Sequence, residues 1–418
     1  MKICVMGLGY IGLPTAVMFA KHGAKVHGVD INENVINTLV KRDIHIHEPG
    51  LQELLIEVID LGNFTFSSAP KHADVFIIAV PTPISSDKKA DLSFVLNAVK
   101  MILPYLQKGN LIVLESTVPP GTIHDKLIPA LKKTPLKIGD DLFISHSPER
   151  VLPGNMLTEL ILNDRIIGGI NETSNQMTVH LYKHFLKGKL HVTDSKTAEL
   201  VKLIENTYRD VNIALANELA VIGEKLNINI WEAIKLANCH PRVNLHSPGP
   251  GVGGHCIAVD PWFIIEQVPN ESPLISLARK MNDSIPMRMT KMIEDSVKSI
   301  KKPLICILGL SYKGNVDDIR ESPALSIISN LKKKGYQLRV FDPHVKLSFE
   351  DQVDHIEKAV DSADCLVILT DHDEFSKIDF KAIKNKLRNQ IIIDTHNILN
   401  HQLLKNEGFH CIQIGTPF

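Results

Sequence analysis

The chain has 418 residues, of which 44% are apolar and 22% charged, and its formal net charge is −1. That length exceeds one ordinary core and calls for two or three domains. The balanced charge provides no basic field for nucleic acid, so an anionic ligand has to meet locally placed cations.

At the amino terminus, "ICVMGLGYIGLPTAVMFA" (3–20) is apolar enough for the core of a signal peptide. Only Lys2 precedes it as a basic flank, and Gly7, Gly9, Gly12 and Pro14 interrupt it. No other stretch approaches the roughly 20 apolar residues of a membrane span, so a cytoplasmic protein is expected. The six cysteines agree: Cys4, Cys239, Cys256, Cys306, Cys365 and Cys411 form no CxxC pair. Neither a metal centre nor a disulfide framework is expected. Cys4, Cys306 and Cys365 fall in apolar runs and read as buried thiols, and Cys239 reads as structural.

Strands are predicted at 2–7, 25–30, 74–80, 110–116, 142–147 and 165–169, with helix-like stretches between most of them. This alternation is the signature of a parallel, doubly wound sheet. "GLGYIG" (Gly7, Leu8, Gly9, Tyr10, Ile11, Gly12) follows the first strand and opens a helix, and Asp30 ends the second strand at the expected distance. In that context GxGxxG predicts a dinucleotide site. Glycines admit backbone amides to a pyrophosphate at a helix N-terminus, and Asp30 accepts from a ribose 2′-hydroxyl, which favours NAD over NADP. Pro81 and Thr82 in "AVPTP" and Thr117 in "ESTVPPGT" lie at later strand ends, where open parallel sheets bind ligands, and are candidates for the nicotinamide half. Each of these loops reads equally well as an ordinary turn.

From 195 the pattern becomes helical. Ile204, Tyr208, Val211, Leu215, Leu219 and Ile222 make one apolar stripe at 3.6-residue spacing. Lys202, Asn206 and Arg209 share a face almost opposite it, which by itself reads first as a solvated polar face. A stripe of this kind has to be buried, and packing against a second copy of the chain would do so, hence an expected homodimer through residues 197–227. From 303 strand-like runs return at 304–309, 337–342, 365–370 and 390–394. "ICILGLSYKG" followed by Asp342 repeats the form of "ICVMGLGYIG" followed by Asp30. The fold class expected is therefore α/β: two Rossmann-like doubly wound domains joined by a central helical domain with one long helix. The expected boundaries are 1–194, 195–298 and 299–418.

One feature resists a phosphate-binding reading. "GPGVGGHCIAVDP" (249–261) sets Cys256 inside a glycine-rich run that closes with Asp260 and Pro261. The thiol is either an inert turn residue or a nucleophile. Together with "KLIENTYRDVNIALANE" (202–218), "SPERVLPG" (147–154), "HPRVN" (240–244) and "SYKGNVDDIRESPA" (311–324), it resembles the UDP-sugar 6-dehydrogenases of the UDP-glucose/GDP-mannose dehydrogenase family, in order and over nearly the whole chain. "SPERVLPG" and "HPRVN" resemble the family's N-acetylmannosamine branch.

The resemblance implies a four-electron oxidation of a sugar C6 alcohol to a carboxylate, with two NAD per sugar and no release of the aldehyde. Cys256 would attack the aldehyde to form a thiohemiacetal, then a thioester that water cleaves; a thiolate is a strong nucleophile. A free thiol with a pKa of about 8.5 would gain from a nearby cation, for which Lys202 is the candidate. Gly251, Gly253 and Gly254 would let substrate and cofactor close on the sulfur.

Further roles follow from the same resemblance. Lys202 would exchange the hydroxyl proton and, with Asn206, stabilise the oxyanion. Asp260 would organise Lys202 and a water, Glu149 would activate water for thioester hydrolysis, and Thr117 would position that water or the nicotinamide. Arg150, Val151, Lys202, Asn206, Arg209, His240, Arg242, Gly253, Tyr312 and Lys313 would contact the UDP-sugar, and Arg320 the NAD pyrophosphate. His396 stands where a lysine or arginine is expected near the uridine. UDP-N-acetyl-D-mannosamine is the implied substrate, with UDP-N-acetylglucosamine or UDP-glucose open. A non-catalytic NAD-responsive regulator is the remaining alternative.

Overall fold

The computed structural model describes residues 1–46, 48–152, 154–254, 256–346 and 350–417. The chain divides into two compact units, Met1–Glu205 with Trp262–Val268, and Asn206–Pro261 with Pro269–Phe418.

The first unit is built on strands β1 (Lys2–Met6), β2 (Lys25–Val29), β3 (Phe64–Ser67), β4 (Val75–Ile78), β5 (Asn110–Leu114), β6 (Leu142–His146), β7 (Arg165–Gly169) and β8 (Leu190–Asp194). They hydrogen-bond in the order β3-β2-β1-β4-β5-β6-β7-β8, so the first six follow the dinucleotide-fold order. Every pair is parallel except β6 with β7, where Ser145 faces Gly169 and His146 faces Gly168. Alternation along each strand feeds two cores. Ile3, Val5, Ile77 and Val113 meet Phe19 and Tyr182 on one face, while Cys4, Met6, Ile78 and Ile112 meet Val95, Ile123 and Leu127 on the other.

Two of these strands are absent from the sequence-based expectation. Phe64–Ser67 is four residues long, and Leu190–Asp194 is half-buried or exposed throughout. Neither has the continuous apolar run that marks a buried parallel strand.

The second unit carries a five-stranded, all-parallel sheet from β9 (Leu304–Leu308), β10 (Gln337–Phe341), β11 (Cys365–Ile368), β12 (Ile391–Asp394) and β13 (His410–Gln413), in the order β10-β9-β11-β12-β13. This is the other common doubly wound order. The internal repeat is structural. Asp30 Oδ2 accepts the Leu8 N–H (2.9 Å), and Asp342 Oδ2 accepts the Leu310 N–H (2.6 Å). The copies then diverge, because Asp342 is buried and also accepts from His372 Nε2 at 3.0 Å. Burial alone would raise its pKa; His372 and backbone N–H donors outweigh that and hold it at about 2. Asp342 is a structural anchor with no edge left for a ribose.

The helix Ser195–Leu226 is the 32-residue element expected. Its faces are not disposed as its pattern suggests. Ile204, Tyr208, Leu215 and Ile222 are exposed, whereas Lys202, Asn206, Asp210 and Asn217 are buried. Among the described residues no helix is long and apolar enough to cross a membrane.

Candidate active site

The turn after β1 requires its glycines. Gly7 has φ +91°, and a Cβ there would lie 2.6 Å from the Ala79 carbonyl oxygen; a Cβ at Gly12 would lie 1.9 Å from that of Gly7. Gly9 has open space instead, the opening a pyrophosphate needs at the start of the helix Gly12–Lys21. The Asp30 carboxylate is aimed by two backbone donors, Leu8 N–H and Asn32 N–H (2.8 Å). Tyr10 packs against the core beside the half-buried Ile11. At the ends of β4 and β5, Ser116 Oγ accepts the Val80 N–H (2.9 Å) and donates to the Val80 carbonyl (2.7 Å), joining the segments of Pro81–Thr82 and Thr117. Thr82 Oγ1 is buried with no hydrogen-bond partner among the described residues, which suits a ligand acceptor. These residues fit NAD.

Glu199, near the start of the long helix, steadies the stretch after Thr117. It accepts the N–H groups of Gly121 (2.5 Å) and Ile123 (2.9 Å). Burial pushes its carboxyl up to about 7 against those two donors. Lys202 is buried one turn further on.

In the other unit Asn206 Nδ2 donates to Asp260 Oδ2 at 2.5 Å, both side chains being buried. Asp260 opens the helix Asp260–Ile265, and the Cys256 carbonyl accepts the N–H of Val259 (3.1 Å) and of Asp260 (2.9 Å). Cys256 thus begins a hydrogen-bonded turn that ends at Asp260, and it is exposed. Two more asparagines of the long helix hold the approach to this turn. Asn212 accepts the His246 N–H (2.8 Å) and donates to the Asn244 carbonyl (3.0 Å), and Asn217 accepts the Gly249 N–H (2.9 Å).

The glycines of this loop also admit a neighbouring segment of the chain. A Cβ at Gly253 would lie 2.5 Å from Tyr312 Cβ, and one at Gly254 would lie 2.9 Å from the Tyr312 ring. The Tyr312 segment packs on them, which the Gly254 N–H bond to the Arg320 carbonyl (3.0 Å) reinforces. His255 lies outside the described residues.

The remaining candidates fall into two groups. Arg209, His240, Arg242, Lys313 and Arg320 are exposed, with Arg320 held by both oxygens of Asp318 (2.8 and 2.6 Å). Arg150 and Val151 are half-buried; Arg150 Nη1 meets Glu205 at 2.6 Å, and Val151 packs on the first core. His396 Nε2 lies 3.2 Å from the Leu369 carbonyl. Cys239 is exposed, its thiol 3.5 Å from the Lys235 carbonyl.

Glu149 lies in the first unit within a buried cluster that its sequence context does not announce. Arg165 Nη1 donates to Glu149 Oε2 and Nη2 to Glu115 Oε1, each at 2.5 Å, while Nε donates to Ser147 Oγ at 2.8 Å. His344, His372 and Glu374 stand close enough to suggest a metal. However, His372 Nδ1 accepts the Asn315 N–H (2.9 Å) and Nε2 donates to Asp342, so neither nitrogen offers a free lone pair.

A GxGxxG domain of Rossmann order, a long helix bearing Lys202 and Asn206, and a cysteine turn anchored by Asp260 together define an NAD-dependent dehydrogenase. The chain belongs to the UDP-glucose/GDP-mannose dehydrogenase family: that family's NAD binding domain matches residues 1–186, its central domain 196–284 and its UDP binding domain 306–401. It is 50% identical to a UDP-N-acetyl-D-mannosamine dehydrogenase of Methanococcus vannielii, over 99% of this chain and 97% of that one. It is 43% identical to an NDP-N-acetyl-D-galactosaminuronic acid dehydrogenase of Ralstonia solanacearum, over 95% and 96%. The solved UDP-D-ManNAc dehydrogenase of Pyrococcus horikoshii superposes with a TM-score of 0.93 at 41% identity, over 99% of both chains.

Proposed function

We propose that this enzyme oxidises the C6 primary alcohol of UDP-N-acetyl-D-mannosamine to the carboxylate of UDP-N-acetyl-D-mannosaminuronate, through a thiohemiacetal and a thioester on Cys256. The observation that carries this reading is the exposed Cys256 at the head of a turn locked by the buried Asp260–Asn206 bond. The sugar is taken from the Methanococcus and Pyrococcus relatives. NAD, when bound, takes up the hydride at each of the two oxidations.

The chain's own residues do the rest. Lys202 takes the hydroxyl proton as C6 becomes an aldehyde, and the Cys256 thiolate adds to that carbon. Lys202 and Asn206 stabilise the oxyanion, with Asp260 fixing the Asn206 amide. After the second oxidation Glu149 takes a proton from water as the water oxygen attaches to the acyl carbon and sulfur leaves. Thr117 positions that water or the nicotinamide. Gly7, Gly9, Tyr10, Ile11, Gly12, Asp30, Pro81, Thr82 and Arg320 hold the dinucleotide; Arg150, Val151, Arg209, His240, Arg242, Gly253, Tyr312 and Lys313 hold the UDP-sugar.

Residues 1–194 form the NAD-binding domain, 195–298 the central catalytic and dimerisation domain and 299–418 the UDP-sugar-binding domain of a cytoplasmic enzyme. The decisive test is NADH stoichiometry on UDP-N-acetyl-D-mannosamine, UDP-N-acetylglucosamine and UDP-glucose. Two NADH per sugar are expected, with the highest kcat/KM on the first. A single NADH with free aldehyde rejects the covalent route, and no turnover on any sugar favours an NAD-responsive regulator.

The exposed stripe of Ile204, Tyr208, Leu215 and Ile222 supports a homodimer through residues 197–227. Light scattering at micromolar concentration is expected to give twice the 46.5 kDa chain mass. Ile204→Glu with Leu215→Glu is expected to give the monomer.

A further inference from the structure

Arg165 is 3% exposed, on a strand in the interior of the first sheet, and its guanidinium lies 3.8 Å from the Tyr182 ring centroid. It spans two carboxylates. Glu149 Oε2 is on Nη1 and Glu115 Oε1 on Nη2, and Glu115 Oε1 also accepts the Tyr182 hydroxyl at 2.5 Å. Nε is taken by Ser147 Oγ. Arg165 is therefore too enclosed and too fully committed to meet substrate. Stability alone is a poor account of such a triad, since replacing buried ion clusters with apolar residues is often neutral or stabilising. What the triad does achieve is orientation. Glu149 stands on the segment after β6, where a glutamate side chain has many rotamers to choose among. Arg165 holds one of its oxygens, and the Arg150 N–H holds the other at 2.7 Å.

We propose that Arg165 is a positioning residue for the hydrolytic half of the reaction, aiming Glu149 at the attacking water, with Glu115 and Tyr182 as the arm that fixes Arg165. This rests on the reading of Glu149 as the base that cleaves the thioester. In that step the water oxygen bonds to the acyl carbon, the carbon–sulfur bond breaks, sulfur leaves as thiolate and Glu149 takes the proton. Glu115 adds a pH dependence. It faces Arg165 from β7, Tyr182 from the helix Glu172–Tyr182, Thr15 from the helix Gly12–Lys21 and Glu149 from the segment after β6. Burial pushes its carboxyl up to about 7, Arg165 opposing and the Glu149 charge adding. Above that pH Glu115 is ionised and completes the ion cluster that fixes Arg165, so hydrolysis is expected to accelerate as pH rises through 7.

Single-turnover oxidation of UDP-N-acetyl-D-mannosamine with saturating NAD separates the phases. NADH absorbance reads hydride transfer, and mass spectrometry of acid-quenched enzyme reads the acyl adduct on Cys256. Arg165→Lys is expected to lengthen the adduct lifetime about 10- to 100-fold, with the first NADH phase and the KM for the UDP-sugar unchanged. Glu115→Gln is expected to abolish the acceleration through pH 7. A merely structural role would instead lower the amplitude of every phase in proportion to the folded enzyme lost and leave the adduct lifetime unaltered. If Glu149→Gln clears the adduct at the unaltered rate, or no adduct forms, the reading of Glu149 fails and the proposal with it. If Glu149→Gln stalls the adduct but Arg165→Lys does not, the role of Arg165 alone is overturned. Should Arg165→Lys not fold, Tyr182→Phe decides: a lengthened adduct lifetime supports the proposal, and an unchanged one overturns it.

Discussion

Replacing Cys256 by alanine is expected to stop uronate formation, with a loss on the order of 10⁴-fold or more, the scale for removing a covalent nucleophile. The reason is the chemistry of the half-oxidised sugar. An aldehyde carbon has no second hydride to give until a nucleophile has added to it, and the exposed Cys256 is the nucleophile proposed. Without it, at most one NADH forms per sugar. Cys256→Ser separates nucleophilicity from shape, because a serine hydroxyl is far less ionised than a thiol yet nearly isosteric; it is expected to trap an ester slowly or not at all. Quantifying NADH and uronate in the same reaction checks both variants. Two NADH per sugar from Cys256→Ala at an undiminished rate would remove the covalent step from the mechanism.

The second large effect is on stability. Asp210, on the long helix, is fully buried, and its Oδ1 accepts Arg279 Nη1 at 2.5 Å and Asn282 Nδ2 at 2.8 Å; Arg279 is 1% exposed. Arg279 also pairs with Asp283 on its own helix, Pro273–Val297. Asp210→Ala leaves a buried guanidinium with only that half of its charge partnered and is expected to cost about 3–5 kcal/mol, a large share of a typical 5–15 kcal/mol. The double replacement Asp210→Leu with Arg279→Leu removes both charges and is expected to cost much less than either change alone, the sign of a coupled pair. The chain has two tryptophans, Trp231 and Trp262. In a Trp262→Phe background urea unfolding followed by Trp231, whose Nε1 donates to the Ile414 carbonyl at 2.8 Å, reports the unit that contains the pair. A loss for the double variant equal to the sum of the two single losses would show that the two charges act independently.

Local features are legible in the sequence itself. The glycine turn and Asp30 are recognisable because their geometry is set by residues adjacent in the chain and by one strand–helix crossover. Cys256, Asp260, Lys202 and Asn206 were recognisable as a set of motifs, although nothing in their spacing shows that the Asn206 amide is held by Asp260, 54 residues away. Arg165, Glu115 and Glu199 carried no signal. A buried charge is identified by its partner, and Glu115 lies 50 residues from Arg165 and Glu199 lies 78 from Gly121. The polar residues preceding the cysteine loop, Asn212 and Asn217, were hidden for the same reason.

The long helix shows where this division falls. Its periodicity, length and lack of proline are properties of the sequence itself, so a helix over residues 195–226 is legible there. Which side faces inward was settled elsewhere in the molecule. The polar side carrying Asn206, Asp210 and Asn217 is buried because Asp260, Arg279, Asn282 and the Gly249 amide satisfy its groups, and the apolar side is left exposed. Hydrophobic pattern reports the cost of exposing a face, a property of each residue alone. The burial of a polar face depends on hydrogen-bond partners that only the folded chain assembles.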